Sequence, residues 1–391
     1  MKRSTQSDLP RALLFGGVLA AGLLSSCGKA PAPAAPLDWS AAKLDTIATF
    51  DDDRTAIRAS ASVGGMVAVL GDTAPFIELI PAPGGPARFG GAGDGPGEFK
   101  TPSGIALWQD SIAVWDPRSG RLTVLDPAGR TLRAETVPAA LGVVLGRILN
   151  DGYGNAGRIV ATPDGLVVPV YHGPVRQHFG LWSTALVHIR PDGSLDTVPV
   201  HFAPLERLQA LNDDTRELVA VPLWAGCGTH GLVTWDPVGE LLQRYPKEGE
   251  LGRSDSVGGP TTPLTDDLIR INLRFQLDAL LQGKRPDSTV YAQMVESMMQ
   301  GHEKRYPRTS PSFVSMQCDD DGTVWLQHFS LADAGSGMGR TWTLVDPAGN
   351  RRDVRLPADL RVLSVSGGVV WGVRNGGEGQ LYLVQLVIPS E

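Results

Sequence analysis

The sequence predicts an all-β fold of many short antiparallel strands. Glycine and proline number 47 and 30 and are spread along the whole chain, aromatic residues make up only 6%, and short apolar runs rich in β-branched residues fall between turn residues. Such punctuation reverses the chain every few residues. The turn Asp-Pro-x-Gly also returns at 126–129, 236–239 and 346–349, with Arg190-Pro191-Asp192-Gly193 as a variant, and turn chemistry repeated within one chain marks a repeated supersecondary unit.

The N-terminus has a separate logic. Basic residues lie among 1–11, residues 12–24 are uncharged, and Leu24-Ser25-Ser26-Cys27 is followed by Gly28. A positive region, a short apolar region and small residues are the marks of an export signal, and the apolar part is too short to span a bilayer. The Leu-Ser-Ser-Cys run resembles the bacterial lipobox. That resemblance implies a signal peptide over 1–26, a diacylglyceryl group on Cys27, and a mature lipoprotein beginning there. Gly28, in place of an acidic residue, implies by the lipoprotein sorting pattern an outer-membrane anchor with the body in the periplasm. Residues 29–36 form an Ala/Pro tether, extended at ~3 Å per residue, so 27–36 read as lipidated cysteine plus spacer.

Loss of Lys2, Arg3, Arg11 and Asp8 with the signal takes the formal charge from −7 to −9. An acidic body argues against nucleic acid, because phosphate contacts need a basic face. No later apolar stretch of about 18 residues exists, so acylation is the expected membrane contact.

The clearest repeat begins with Gly97-Glu98-Phe99-Lys100-Thr101-Pro102. It continues through 104–107, Ser111-Ile112-Ala113-Val114-Trp115-Asp116 and Arg121-Leu122-Thr123-Val124-Leu125-Asp126-Pro127-Ala128-Gly129, with a fourth strand over 131–137. One such meander cannot bury both faces alone. Its Gly-x-Phe-x-x-Pro opening, Asp-turn-Arg connection and Val-Leu-Asp-Pro-x-Gly close resemble an NHL repeat of six-bladed β-propellers, over about one blade. The resemblance implies the fold and leaves function open.

The predicted second strands are 66–71, 111–116, 166–172, 217–224, 323–329 and 369–374, which gives a six-bladed propeller of four-stranded antiparallel blades over 37–391. The last blade ends one strand short. Residues 43–50 are strand-like and unpartnered near the other end, and placing them at the outer edge of the last blade closes the ring.

Between blades four and five, 251–310 break the rhythm. Thr265-Asp266-Asp267 resembles a helix start, with Leu268, Ile271, Leu273, Phe275, Leu277, Leu280 and Leu281 following at helical spacing, and 290–305 carry Tyr291, Met294, Val295, Met298 and Met299. A helical insertion is expected, either packed on the propeller by its apolar stripe or acting as a Met-rich lid.

In a meander blade the A–B and C–D turns share one end, and the B–C loops and blade connections share the other. The long segments fall at the second end, so a ligand face is expected there. Tyr171, His172, Arg176, His178, Trp182, Trp224, His230 and His328 are assigned to it, with Arg118 and Arg374 at B–C turns. These side chains suit a protein, peptide or glycan, and the arginines favour anionic or carbonyl-rich groups.

Catalytic motifs are scarce. His172 and His178 are the only close histidine pair and lack zinc spacing, while Asp319-Asp320-Asp321-Gly322 reads as a β-turn, with calcium the sharper alternative. No catalytic residue, metal ligand or cofactor is therefore assigned. The function expected is an envelope-anchored binding or scaffold propeller, more a binder than an enzyme. The alternative is a metal-dependent hydrolase or lactonase at the mouth of the channel. Cys227 is expected in a B–C loop and Cys318 at the far end of a first strand, on opposite faces, which predicts two free thiols.

Overall fold

The computed structural model describes residues 36–50, 57–63, 65–80, 87–117, 119–138, 158–172, 183–200, 202, 222–247, 249–281, 286–300, 309–329, 341–357, 359–375 and 380–388. Two units separate at Ala35/Pro36, and the second carries the fold described below. The leader and tether, with Cys27, lie outside the described residues.

Strands β1 (Leu37–Asp38) and β2 (Asp45–Phe50) precede the first blade. Blade one holds β3 (Ile57–Val63), β4 (Met66–Gly71), β5 (Ile77–Ile80) and β6 (Ala87–Phe89), and a small parallel pair follows in β7 (Gly91–Ala92) and β8 (Glu98–Phe99). Blade two holds β9 (Gly104–Trp108), β10 (Ser111–Asp116), β11 (Arg121–Leu125) and β12 (Thr131–Thr136). Blade three holds β13 (Val160–Thr162), β14 (Gly165–His172), β15 (Ser183–Ile189) and β16 (Leu195–Val198).

Blade four holds β17 (Leu223–Gly226), β18 (Leu232–Asp236), β19 (Leu241–Tyr245) and β20 (Arg253–Ser256). Blade five holds β21 (Phe313–Cys318), β22 (Val324–His328), β23 (Thr341–Val345) and β24 (Arg351–Arg355). Blade six holds β25 (Arg361–Ser366), β26 (Val369–Asn375) and β27 (Leu381–Val387). The first strand of each blade neighbours that of the next, and β25 returns to β3, so the inner strands form a closed ring. The molecule is a six-bladed β-propeller.

Blade two shows why these sequences make strands. In β10, Ile112 and Val114 pack toward blade one beside Leu70 and Leu79, while Ala113 and Trp115 pack toward blade three beside Leu166 and Val168. Side chains alternate across a strand, so apolar residues at both parities are needed when both faces are covered. That is why this strand reads as a continuous apolar run. The same arrangement links blade six to blade one, where Phe50, Trp371, Val373 and Leu383 meet Ile57, Val67, Val69 and Ile80. Each blade supplies what its neighbour lacks.

Closure is as expected. β2 pairs antiparallel with β27, with Phe50 opposite Leu381 and Asp45 opposite Gln385, and supplies the fourth strand of blade six. Unexpectedly, β1 adds a fifth, parallel strand to blade five: Leu37 pairs with Val354, and the Trp39 amide donates to the Arg355 carbonyl at 2.9 Å. Leu37, Trp39 and Leu44 pack against the core between blades five and six.

Blade four departs from the sequence reading by one strand. The second strand is 232–236, not 217–224; residues 223–226 form the inner strand, and of 217–224 only Pro222, Leu223 and Trp224 are described. Asp236-Pro237-Val238-Gly239 is a B–C turn, whereas 126–129, 190–193 and 346–349 are C–D turns. The same Asp-Pro chemistry serves both ends of a blade, because it needs only a type I-like reversal.

The shift moves 227–231 to the A–B end, where Cys227 sits beside the end of β21 in the next blade. Cys227 and Cys318 form a disulfide with Cα atoms 5.0 Å apart. The expected free thiols are corrected, and the fault lies in the blade-four register. Blade five was assigned correctly.

The insertion follows β20 and contains α1 (Asp266–Leu281) and α2 (Ser288–Met299). Thr265 Oγ1 accepts from the Leu268 amide at 3.4 Å, Asp266 and Asp267 occupy the first turn of α1, and Asp287 caps α2 by accepting from the Thr289 amide at 2.8 Å. Ile269 and Leu273 pack against Val314 and Phe329 of blade five, with Met298 and Met299 alongside. The apolar stripe docks on the propeller, and Arg270 ties α1 to Glu296 of α2 at 3.0 Å.

Candidate functional site

Most of the sequence-assigned site residues lie where no side-chain statement is made. Arg118, Arg176, His178 and Trp182 fall outside the described residues. For Tyr171 and His172 only the backbone is described; it pairs with Thr184 and Ser183 at the end of β14.

Trp224 is an inner-strand residue in place of a loop residue. It is buried, and its Nε1 donates to the Arg158 carbonyl at 3.1 Å. His230 is exposed in the short helical A–B turn 228–230, with its ring against Gly322 of the next blade. His230 therefore leaves the B–C end to which it was assigned, and Trp224 is a packed inner-strand side chain, not a loop residue.

His328 is at the B–C end, at the close of β22, but is buried. Its Nε2 lies 2.7 Å from Thr343 Oγ1, and Thr343 donates to Asp353 Oδ1 at 2.7 Å. Thr343 has one proton to give, and it goes to Asp353, so His328 Nε2 carries a proton and donates to Thr343 Oγ1. Burial lowers the pKa of His328, and Asp353 opposes that in part. Arg374 stacks over Tyr382 with its guanidinium carbon 6.0 Å from the ring centre, and its Nε is 3.9 Å from Asp359. These described candidates do not converge.

A cavity does converge elsewhere, along the axis of the inner ring. All the inner strands contribute to its wall. Its empty space, including the part open to solvent, is about 640 Å³. Neighbouring inner strands approach closely at this wall: a Cβ on Gly226 would run into the Ala161 carbonyl and Val160 of β13.

Polar groups of three kinds face this cavity. Ser60 and Ser62 of β3 and Ser364 of β25 line it between blades one and six, and their hydroxyls are buried without a hydrogen-bond partner among the described residues. Across the ring, Arg158 precedes β13 and donates from Nη1 to the Met316 carbonyl and from Nη2 to Gln317 Oε1 of β21. Asp320 stands at the A–B mouth and accepts from Ser366 Oγ at 2.7 Å.

Arg158 forms no ion pair among the described residues. Burial alone pulls its pKa down to about 10, so it stays charged at neutral pH. Arg361, at the start of β25, is a second part-buried guanidinium: it donates to the Ile57 carbonyl at 3.1 Å, and burial lowers its pKa. The sequence reading missed the channel because its residues are scattered singly over 60–364. Only the inner-strand registry brings them together.

The Asp-Asp-Asp-Gly segment is a β-turn. Asp319 N donates to the Thr323 carbonyl at 2.9 Å, Asp321 accepts from Thr323 N and Oγ1 at 2.7 and 3.0 Å, and Asp319 Oδ1 accepts from the Asp320 amide at 2.7 Å. Burial raises the pKa of Asp319.

No family model matches the chain, and no curated protein matches it. Solved structures do. A virginiamycin B lyase from Staphylococcus aureus with quinupristin is 10% identical over 88% of this chain and 99% of that one, with a TM-score of 0.42. A member of the DUF4221 family from Bacteroides vulgatus is 11% identical over 88% and 97%, with a TM-score of 0.45. A gluconolactonase from Xanthomonas campestris is 11% identical over 88% and 90%, with a TM-score of 0.41.

Proposed function

We propose that this chain is a lipid-anchored binding propeller of the bacterial cell envelope, tethered through Cys27 and presenting its B–C face to a protein, peptide or glycan. The Leu24-to-Cys27 run and the Ala/Pro spacer support the address. Among the described residues no helix is long and apolar enough to cross a membrane. The docked pair α1 and α2 supports the choice of face, because it builds a rigid platform at the blade-four to blade-five connection.

The observation that carries binding over metal-dependent hydrolysis is Arg158. A hydrolase of that kind would hold a divalent cation over the channel, and a part-buried guanidinium that forms no ion pair among the described residues, in the same cavity, repels one. Among the described residues no cluster of three His, Cys, Asp or Glu side chains could hold a metal.

Fatty-acid labelling tests the address: Cys27→Ala is expected to lose the label while the propeller stays folded. Titration calorimetry with calcium tests the chemistry and is expected to give no saturable heat. Calcium binding coupled to lactone hydrolysis would overturn the binding reading in favour of the hydrolase. A Cys27→Ala protein that still takes up label would overturn the anchor.

A further inference from the structure

The channel holds an arrangement that binding at the B–C face does not use. A guanidinium has five N–H donors, and Arg158 commits two of them to Met316 and Gln317. Gln317 in turn spends its Oε1 on Arg158, which leaves its Nε2 as a further donor on the cavity wall. Ser60, Ser62 and Ser364 add three hydroxyls without partners among the described residues, and Ser364 is 5% exposed.

Buried polar atoms without partners are rare and costly, at ~1–3 kcal/mol each by general experience. Here three hydroxyls with no partner among the described residues line one cavity with Arg158, which forms no ion pair among the described residues. A group that accepts hydrogen bonds and carries negative charge complements these donors.

We propose that the central channel is an oxyanion site, taking a carboxylate or phosphate group of a small molecule between Arg158 and the hydroxyls of Ser60, Ser62 and Ser364. Arginine suits either group, because its planar fork matches paired oxygens. Asp320 at the A–B mouth sets a further condition. Its carboxylate repels a second negative charge there, so the favoured molecule has one anionic end and neutral or donor groups toward that mouth. The site rests on the binding reading only in treating the channel as a binding cavity and not a metal centre.

The test is titration calorimetry of the full exported chain at low ionic strength, with inorganic phosphate as one probe and acetate as the carboxylate arm. Saturable uptake of one anion per chain is expected, at least tenfold weaker in Arg158→Gln. The control Arg253→Gln, a C–D-side arginine paired with Asp255 at 2.8 Å, is expected to match the parent. Where Arg158→Gln fails to fold, the double variant Ser60→Ala/Ser364→Ala decides, with a several-fold loss expected. No saturable uptake of either anion by the parent, or equal uptake by the parent and the channel variants, would overturn the site. Calcium uptake in the same instrument would overturn the binding reading as well, whereas absence of both calcium and oxyanion heats removes only the oxyanion site.

Discussion

Breaking the Cys227–Cys318 crosslink should cost a calculable share of the propeller's stability. The bond joins residues 91 positions apart, and closing a loop of that length removes unfolded-state entropy worth about 4.6 kcal/mol at 25 °C, within a usual observed range of roughly 2–5 kcal/mol. Unfolding entropy is ~2.1 cal/mol/K per residue, so the unit from Pro36 to Glu391 has roughly 0.75 kcal/mol/K at its midpoint. The quotient is a fall in Tm of about 3–6 °C for Cys227→Ser/Cys318→Ser. Serine is close in size, so packing at the two buried sites changes little. Differential scanning calorimetry of the parent and the double variant measures the shift, and peptide mapping of unreduced protein confirms the 227–318 bridge. A double variant melting within about 1 °C of the parent would refute the loop-closure reasoning, and two titratable thiols in the native protein would refute the blade-four register.

Phe50→Ala removes a fully buried ring between blades six and one and is expected to cost about 3–5 kcal/mol by urea denaturation, whereas Leu132→Ala, 58% exposed, should change stability by under ~0.5 kcal/mol. Gly226→Ala sets a methyl against the Ala161 carbonyl and should lower the urea midpoint by the equivalent of about 1–3 kcal/mol; an unchanged midpoint would mean that the inner strands are not in close contact there. The lowered pKa of His328 makes stability depend on pH. The unfolded side chain protonates below about 6.5 while the buried ring resists, so stability present above that pH falls as pH drops through it. Urea midpoints at pH 7.5 and 5.5 should differ less in His328→Asn than in the parent, and an equal difference in both would assign the dependence elsewhere.

Much of the architecture was legible because it rests on local chemistry. The runs 111–116 and 121–125 announce strands by their apolar residues at both parities, and the unpaired segment 43–50 matches the strand missing from the last blade. Blade four differs from the sequence expectation because Asp-Pro-x-Gly closes a B–C turn there and C–D turns in blades two and five. A better signal was present: Trp235-Asp236-Pro237 repeats Trp115-Asp116-Pro117, and Asp116 ends a second strand. Aligning those triplets puts Cys227 at the A–B end and predicts the disulfide. The channel was not legible at all. Ser60, Arg158, Gln317 and Ser364 have ordinary neighbours in sequence, and their shared cavity exists only through long-range registry.

The seam at β2 and β27 also dictates a timetable. Its paired residues, such as Phe50 and Leu381, are separated by nearly the whole chain, and contacts of such high sequence separation form slowly because the intervening loop must first be brought together. A ribosome makes β2 long before its partner exists. Until β27 arrives, β2 has no partner and the core around Phe50 stays open, which is the kind of surface that draws incomplete chains into aggregates. Truncation near the C-terminus should therefore harm this protein out of proportion to the residues removed.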